Sequence, residues 1–200
     1  MRTPGFAVGA VVTGFCLGAL AGAEIPFSAI RLRKPQTDRP EVWKATLEQF
    51  AKYRAGVDEV WFSTGICFPK MEEHRVAAKR LAAAAEDLRK LGIQPSLQIQ
   101  ATIGHGDAFI RYADNAGMTW QGFMSENGAV AKGCNCFRAP GFLAYMREMA
   151  SLYAAAVKPY AVWIDDDIRI IKHGGPGFGC YCEYCLGQFA KKEGRAYTRQ

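Results

Sequence analysis

The chain has 200 residues, half of them hydrophobic, and 25 Lys and Arg against 19 Asp and Glu give a formal net charge of +6. That is enough apolar material for one domain with a sizeable core. The charges are interspersed apart from a basic tail at Lys191, Lys192, Arg195 and Arg199, and no nucleic-acid recognition motif accompanies them, so nucleic acid is excluded as an expected partner.

Residues 1–23 read as a separate unit. Arg2 is their single charge, residues 6–20 are apolar and Gly-rich, and Ala21-Gly22-Ala23 is a small-x-small cleavage site. This pattern predicts a secretory signal peptide cleaved before Glu24. The apolar run falls short of the ~20 residues a membrane anchor needs. Cys16 follows Phe15, where a lipoprotein would carry a small residue. The expectation is an exported protein, periplasmic or extracellular, with residues 24–200 as its domain and no stable membrane insertion after cleavage.

The elements follow in order. Residues 25–33 predict a first strand. Thr37-Asp38-Arg39-Pro40 is a helix-start signal, with a capping side chain and a proline in the first turn. That helix is expected to run to about Arg54, with Trp43, Leu47, Phe50 and Ala51 on one face. Residues 57–63 read as a buried strand. Residues 71–91 give the clearest helix, with a stripe of Leu81, Ala84, Ala85, Leu88 and Leu91, a Glu86–Lys90 pair and Gly92 as its stop. Residues 93–102 predict the next strand, and 103–139 an irregular, Gly- and Asn-rich functional loop. Pro140 opens a helix with Phe142, Met146, Met149, Leu152, Tyr153 and Ala156 on its buried face, stopped by Pro159. A strand over 161–167 follows, then a helix beginning near Tyr184. The alternation of strand and helix argues for an α/β fold with about four parallel strands and crossover helices. Four such units are half of an eight-stranded (β/α)8 TIM barrel, which needs ~250 residues, so the chain reads as a truncated first half.

Two motifs carry the chemistry. The apolar run Ala161-Val162-Trp163-Ile164 ends in Asp165, Asp166 and Asp167. Three adjacent acids repel one another, a cost most often accepted where carboxylates do chemistry or hold a ligand. Alternation along a strand puts Asp165 and Asp167 on one side and Asp166 on the other. Repulsion between the first two would raise the pKa of one of them, as a general acid requires. The competing reading is a salt bridge from Asp165 or Asp166 to Arg169. Calcium on three carboxylates fits the strand geometry poorly. His105 and Asp107 follow the third strand, where barrel enzymes place substrate contacts. Trp120 and His173 are further candidates for a sugar site; Trp61 is weighed with Trp120, while Trp163 is expected in the core.

The second motif is Cys180-Tyr181-Cys182-Glu183-Tyr184-Cys185. Beyond residue 23 there remain Cys67, Cys134, Cys136, Cys180, Cys182 and Cys185. Export favours disulfides, whereas C-x-C-x2-C spacing favours tetrahedral metal ligation. Cys67 is expected as a buried thiol, and Cys134 as an alternative to Cys136.

These residues resemble the first half of a clan-A glycoside hydrolase barrel, and most closely glycoside hydrolase family 42, β-galactosidases with a cysteine zinc site. Pro40-Glu41-Val42-Trp43 and Val57-Asp58-Glu59-Val60-Trp61 are similar to that family's first helix and second strand. Cys136, followed by Ala139-Pro140, resembles its isolated zinc cysteine; Cys180, Cys182 and Cys185, followed by Leu186 and Phe189, resemble the other three ligands. The resemblance implies structural zinc on Cys136, Cys180, Cys182 and Cys185, hydrolysis of β-linked glycosides, and a carboxylate acid/base at the end of the fourth strand. The family has Asn-Glu there; this chain has Asp166-Asp167, or Asp165-Asp166 if the alignment slips by one. Asp167 is the expected acid/base, and the nucleophile would lie beyond Gln200. A carbohydrate-binding protein without catalysis, and a zinc- or disulfide-stapled interaction domain, are the alternatives. An oligomer is compatible with any of the three.

Overall fold

The computed structural model describes residues 27–65, 67–103, 119–165 and 179–199. Strand β1 (Ala29–Leu32) leads through a one-turn helix α1 (Lys34–Asp38) to α2 (Pro40–Lys52) and β2 (Glu59–Ser63). Helix α3 (Met71–Lys90) and β3 (Gln94–Ile99) follow. A hairpin of β4 (Gly122–Met124) and β5 (Val130–Asn135) precedes α4 (Pro140–Val157), β6 (Val162–Ile164) and α5 (Glu183–Glu193).

Four strands form one parallel sheet in the order β1-β2-β3-β6. Each new strand is added beside the last, with no reversal of direction. A doubly wound sheet reverses at a switch point; a barrel does not. The α/β expectation therefore holds, and the arrangement is compatible with half a barrel.

Hydrophobic periodicity accounts for the helices. In α3 the predicted residues Leu81, Ala84, Ala85 and Leu88 are buried, joined by Ala78. They pack with Val60 and Phe62 of β2, Leu97 and Ile99 of β3, and Met149, Tyr153 and Val157 of α4. The stop at Gly92 is real: its φ of +72° favours glycine. Arg54 clamps that end, donating to the carbonyls of Leu91, Gly92 and Val57 at 2.5, 2.6 and 2.7 Å. Arg89 likewise donates to Val157 O and Lys158 O at 2.6 and 2.8 Å, satisfying carbonyls where α4 ends.

A buried polar chain ties α3 to α4. Tyr145 donates its hydroxyl hydrogen to Pro69 O at 2.7 Å, so its oxygen accepts from His74 Nε2 at 2.6 Å. That leaves His74 Nδ1 to accept from the Tyr153 hydroxyl at 2.9 Å. Burial pushes the Tyr153 phenol up to about 12 and raises that of Tyr145 as well.

Several expectations are corrected. Thr37 and Asp38 do not cap the long helix; they end α1, Arg39 is the N-cap residue of α2, and Asp38 pairs with Arg80 at 2.6 Å. Ala51 is exposed, while Trp43, Leu47 and Phe50 do pack into the core. Glu86 pairs with Arg89 at 2.6 Å and Lys90 with Asp87 at 3.0 Å, so the i,i+4 pair is replaced by two i,i+3 pairs. The stretch 103–139 is not irregular throughout, because it contains the β4–β5 hairpin. Its turn is Ser125-Glu126-Asn127-Gly128, with Gly128 at φ +85° and its amide donating to Ser125 O at 3.1 Å. Among the described residues no helix is long and apolar enough to cross a membrane.

Candidate metal centre and acidic strand end

Cys136 lies in the turn between β5 and α4, and Cys182 is the N-cap residue of α5. Neither is accessible to solvent, because both pack with Phe68, Ala139, Phe142 and Tyr145. Cys180 and Cys185 are half-buried. The amide of Met124 donates to Cys180 Sγ at 3.4 Å, and that of Tyr181 to Met124 O at 2.8 Å, so the segment before α5 is laid along β4.

The sulfurs of Cys136, Cys180, Cys182 and Cys185 all lie within 4.8 Å of one another. Cys136 Sγ is 3.3 Å from Cys182 Sγ and 3.7 Å from Cys185 Sγ. A disulfide needs ~2.05 Å, and none joins the cysteines among the described residues. A tetrahedral ion with metal–sulfur bonds of ~2.3 Å sets its sulfurs ~3.8 Å apart, so the cluster has the size of a four-thiolate cage. It can hold a metal ion, and four sulfurs leave that ion no open position for chemistry. Donation from Cys136 lowers the Cys180 thiol below its ordinary value, while the same bond raises Cys136, and burial raises Cys185. A cation at the centre would favour the thiolate form of all four. A cleft of ≈500 Å³ lined by Cys180, Cys185, Phe137 and Phe189, with Arg138 and Lys192, adjoins the cluster.

Cys134 is buried, but it packs with Phe123 and Ala131 and is not among the four. Cys67 is half-buried, less enclosed than expected. Trp120 packs against Phe68, Phe142 and Tyr145 and donates Nε1 to Asn135 Oδ1 at 2.7 Å. It thus belongs to the aromatic layer behind the cysteines, whereas Asp165 belongs to the parallel sheet.

The sheet has two unlike faces. Val60, Phe62, Leu97 and Ile99 face the helices. The alternate residues Glu59, Trp61, Ser63, Ser96 and Gln98, with Trp163 of β6, form a polar and aromatic face. Faces packed inside a core are dominated by Val, Ile and Leu; this face is not. Trp163 is 41% exposed rather than core. It stacks on Trp61 with ring centroids 4.0 Å apart and donates Nε1 to Glu59 Oε1 at 3.1 Å.

Asp165 follows β6 on the same side as Trp163. Its amide donates to Ile99 O at 3.1 Å, continuing the β3–β6 ladder, and its Oδ2 accepts from Gln98 Nε2 at 2.9 Å. Beside it Ser63 Oγ donates to Gln100 Oε1 at 2.5 Å. Asp166, Asp167, His105, Asp107 and His173 lie outside the described residues, as does Arg169. Gln98, Gln100 and Ser63 are the polar neighbours of Asp165 that sequence reasoning passed over. The signal was present: from Gln94 to Ala101 polar and apolar residues alternate without a break, which marks a strand with one polar face.

Fold and site define the class: an α/β protein with a parallel sheet, a carboxylate at a strand's carboxyl end and four clustered cysteines that could hold a metal ion. No family model matches the chain, and no curated protein matches it.

Proposed function

We propose that this chain belongs to an exported glycoside hydrolase of (β/α)8 barrel fold acting on β-linked glycosides, β-galactosides among them. The observation that carries the reading is Asp165 at the carboxyl end of β6, on a sheet face whose other members are tryptophans, amides and hydroxyls. Open α/β sheets and barrels bind ligands at the carboxyl ends of their strands, and sugars are bound by carboxylates and amides for their hydroxyls and by aromatic faces for their C–H surfaces. In this reading Asp167, two residues beyond Asp165, is the general acid/base. This mechanism requires a second carboxylate, which the barrel form of the fold would supply from another strand.

The metal in this reading is zinc, held by Cys136, Cys180, Cys182 and Cys185. It would supply no chemistry at the acids; the four residues would fix α5 and the hairpin beside the strand ends. Protein purified under reducing conditions should carry about one zinc per chain.

The test of the hydrolase is Asp167→Ala in the full-length protein. Hydrolysis of a natural disaccharide should fall by ~10²–10⁴, as for loss of a general acid. An activated aryl β-galactoside should suffer less, since its leaving group needs little protonation, and azide should restore part of that turnover. Full activity on the disaccharide after Asp167→Ala would sink the assignment. Binding of glycosides without any turnover by the unaltered protein would favour a carbohydrate-binding protein instead.

A further inference from the structure

One buried side chain on the polar face of the sheet is held half-satisfied. Gln98 is 6% exposed, pairs with Trp163 in the β3–β6 register, and donates Nε2 to Asp165 Oδ2 at 2.9 Å. Its Oε1 is buried, with no hydrogen-bond partner among the described residues. An amide can be turned over about its last side-chain torsion, but that would aim the Gln98 carbonyl at a carboxylate. The orientation therefore keeps the bond to Asp165 and leaves Oε1 without one. Buried amides are normally satisfied at both ends, so the bond to Asp165 is what fixes this one.

We infer that Gln98 is the positioning residue of Asp165, holding it as a carboxylate in one rotamer. Asp165 is then a hydrogen-bond acceptor for a sugar hydroxyl, and it is not the proton donor. The inference rests on the hydrolase reading for its functional half. Donation to the charged form of an acid favours that form, so Gln98 biases Asp165 toward the acceptor role. Among the described residues the other charged groups on this sheet face are Glu59 of β2 and Arg31 of β1, by register with Trp61 and its neighbours, and Arg33 follows β1 in extended backbone on the side of Arg31. Gln100 is neutral and is engaged by Ser63. Asp166 and Asp167 follow directly in the chain.

The experiment uses the full-length protein with carboxyl-labelled aspartate, the Asp165 resonance being assigned by its loss in Asp165→Asn. In Gln98→Leu the titration midpoint of Asp165 should move up by about one pH unit, and kcat on an aryl β-galactoside should fall about tenfold or more. In Gln98→Glu, which keeps the size of the side chain, the protonated form can still donate. Activity should survive at low pH and be lost as the pH rises and the two carboxylates ionise side by side. In an Asp165→Asn background, Gln98→Leu should cost no more than about twofold further, because a residue acting through Asp165 has nothing left to act on. An Asp165 midpoint that is unmoved in Gln98→Leu overturns the inference. So does a Gln98→Glu profile parallel to that of the parent, which decides the matter alone if Gln98→Leu does not fold. If the parent hydrolyses no glycoside the hydrolase reading fails, while the titration still decides whether Gln98 controls Asp165.

Discussion

The two halves of this molecule are held by different forces. The sheet and α2, α3 and α4 share one continuous apolar core, in which Val60, Phe62, Leu88, Leu97 and Met149 are almost wholly removed from water. Helix α5 has no buried residue of its own. Its N-cap residue Cys182 and the half-buried Cys185 join it to Cys136 and Cys180, and the hairpin is tied to the same cluster through Met124. The first part is stabilised by buried area, whereas α5 depends on the sulfur contacts that seat Cys182 and Cys185 against Cys136 and the aromatic layer behind it. Area-stabilised parts lose stability piecemeal, whereas a region fixed at one cluster is released at once when that cluster goes. The strand end bearing Asp165 lies in the first part, and the cysteines that begin again at Cys180 lie in the second. A metal there would fix the chain where it begins again at Cys180.

The largest effect that separates the two parts is a cavity in the core. Phe62 is 1% exposed and packs against Trp43 with ring centroids 6.0 Å apart. Phe62→Ala should cost about 3–5 kcal/mol, read as a lowered denaturant midpoint for the whole sheet. Next is the cluster. Chelation, or Cys182→Ser, should raise amide exchange across 179–199 and 122–136 while protection in α3, β2 and β3 stays high. Loss of protection everywhere at once would show that the two parts are one cooperative unit and would end the comparison.

A smaller effect lies within the hairpin. A Cβ on Gly122 would stand 2.8 Å from Val130 Cγ1 and 2.9 Å from Ala131 O, and the second of these is backbone. Gly122→Ala should therefore strain the β4–β5 pair by about 1–3 kcal/mol. It should weaken metal retention through Met124 and Cys180 more than it lowers the melting of the sheet. Equal metal retention in parent and variant would show that the hairpin does not support the cluster.

The sequence was most legible where one physical rule acted alone. Helix α3 could be read residue by residue because its stripe faces a single apolar surface and Gly92 ends it. The thiol motif could be read because few structures need three cysteines in six residues. One misreading shows how a local pattern competes with surroundings the sequence does not display. Trp163 sits in an apolar run and reads as core, but strand alternation turns it to the polar face with Trp61, while Val162 and Ile164 take the other side. The surroundings of Trp120 are equally hidden from the sequence: Gly141 lets the start of α4 approach it, and a Cβ at Gly141 would stand 3.1 Å from Trp120 Cβ. The hairpin was missed although Asn127-Gly128 is a strong turn signal, because β4 has three residues and shows no alternation to flank it. No signal in the sequence alone joins Gln98 to Asp165, since 67 residues separate them and only strand register brings them together.

The smallest effect tests whether surface charge contributes to the area-stabilised part at all. Asp87 on α3 accepts from Lys90 Nζ at 3.0 Å and from Trp43 Nε1 at 3.2 Å. The hydrogen bond from Lys90, and after it the one from Trp43, hold the Asp87 carboxyl below its ordinary value against an opposing contribution from burial. A carboxyl that titrates lower in the folded chain than in the unfolded one is protonated first in the unfolded chain as the pH falls. Its contribution is therefore complete above the unfolded value of ~3.9 and is lost as the pH drops through the folded value. The Lys90 side chain is 74% exposed, so solvent screens most of the attraction, and a few tenths of a kcal/mol is the expected size at neutral pH. Asp87→Asn keeps an acceptor for Trp43 and removes only the charge. Parent and variant should differ by that amount at pH 7 in low salt, less in 1 M salt, and not at all once the pH is below the folded value. A difference that persists undiminished in acid would mean that Asp87 acts through the Trp43 bond, joining α2 to α3 by geometry and not by charge.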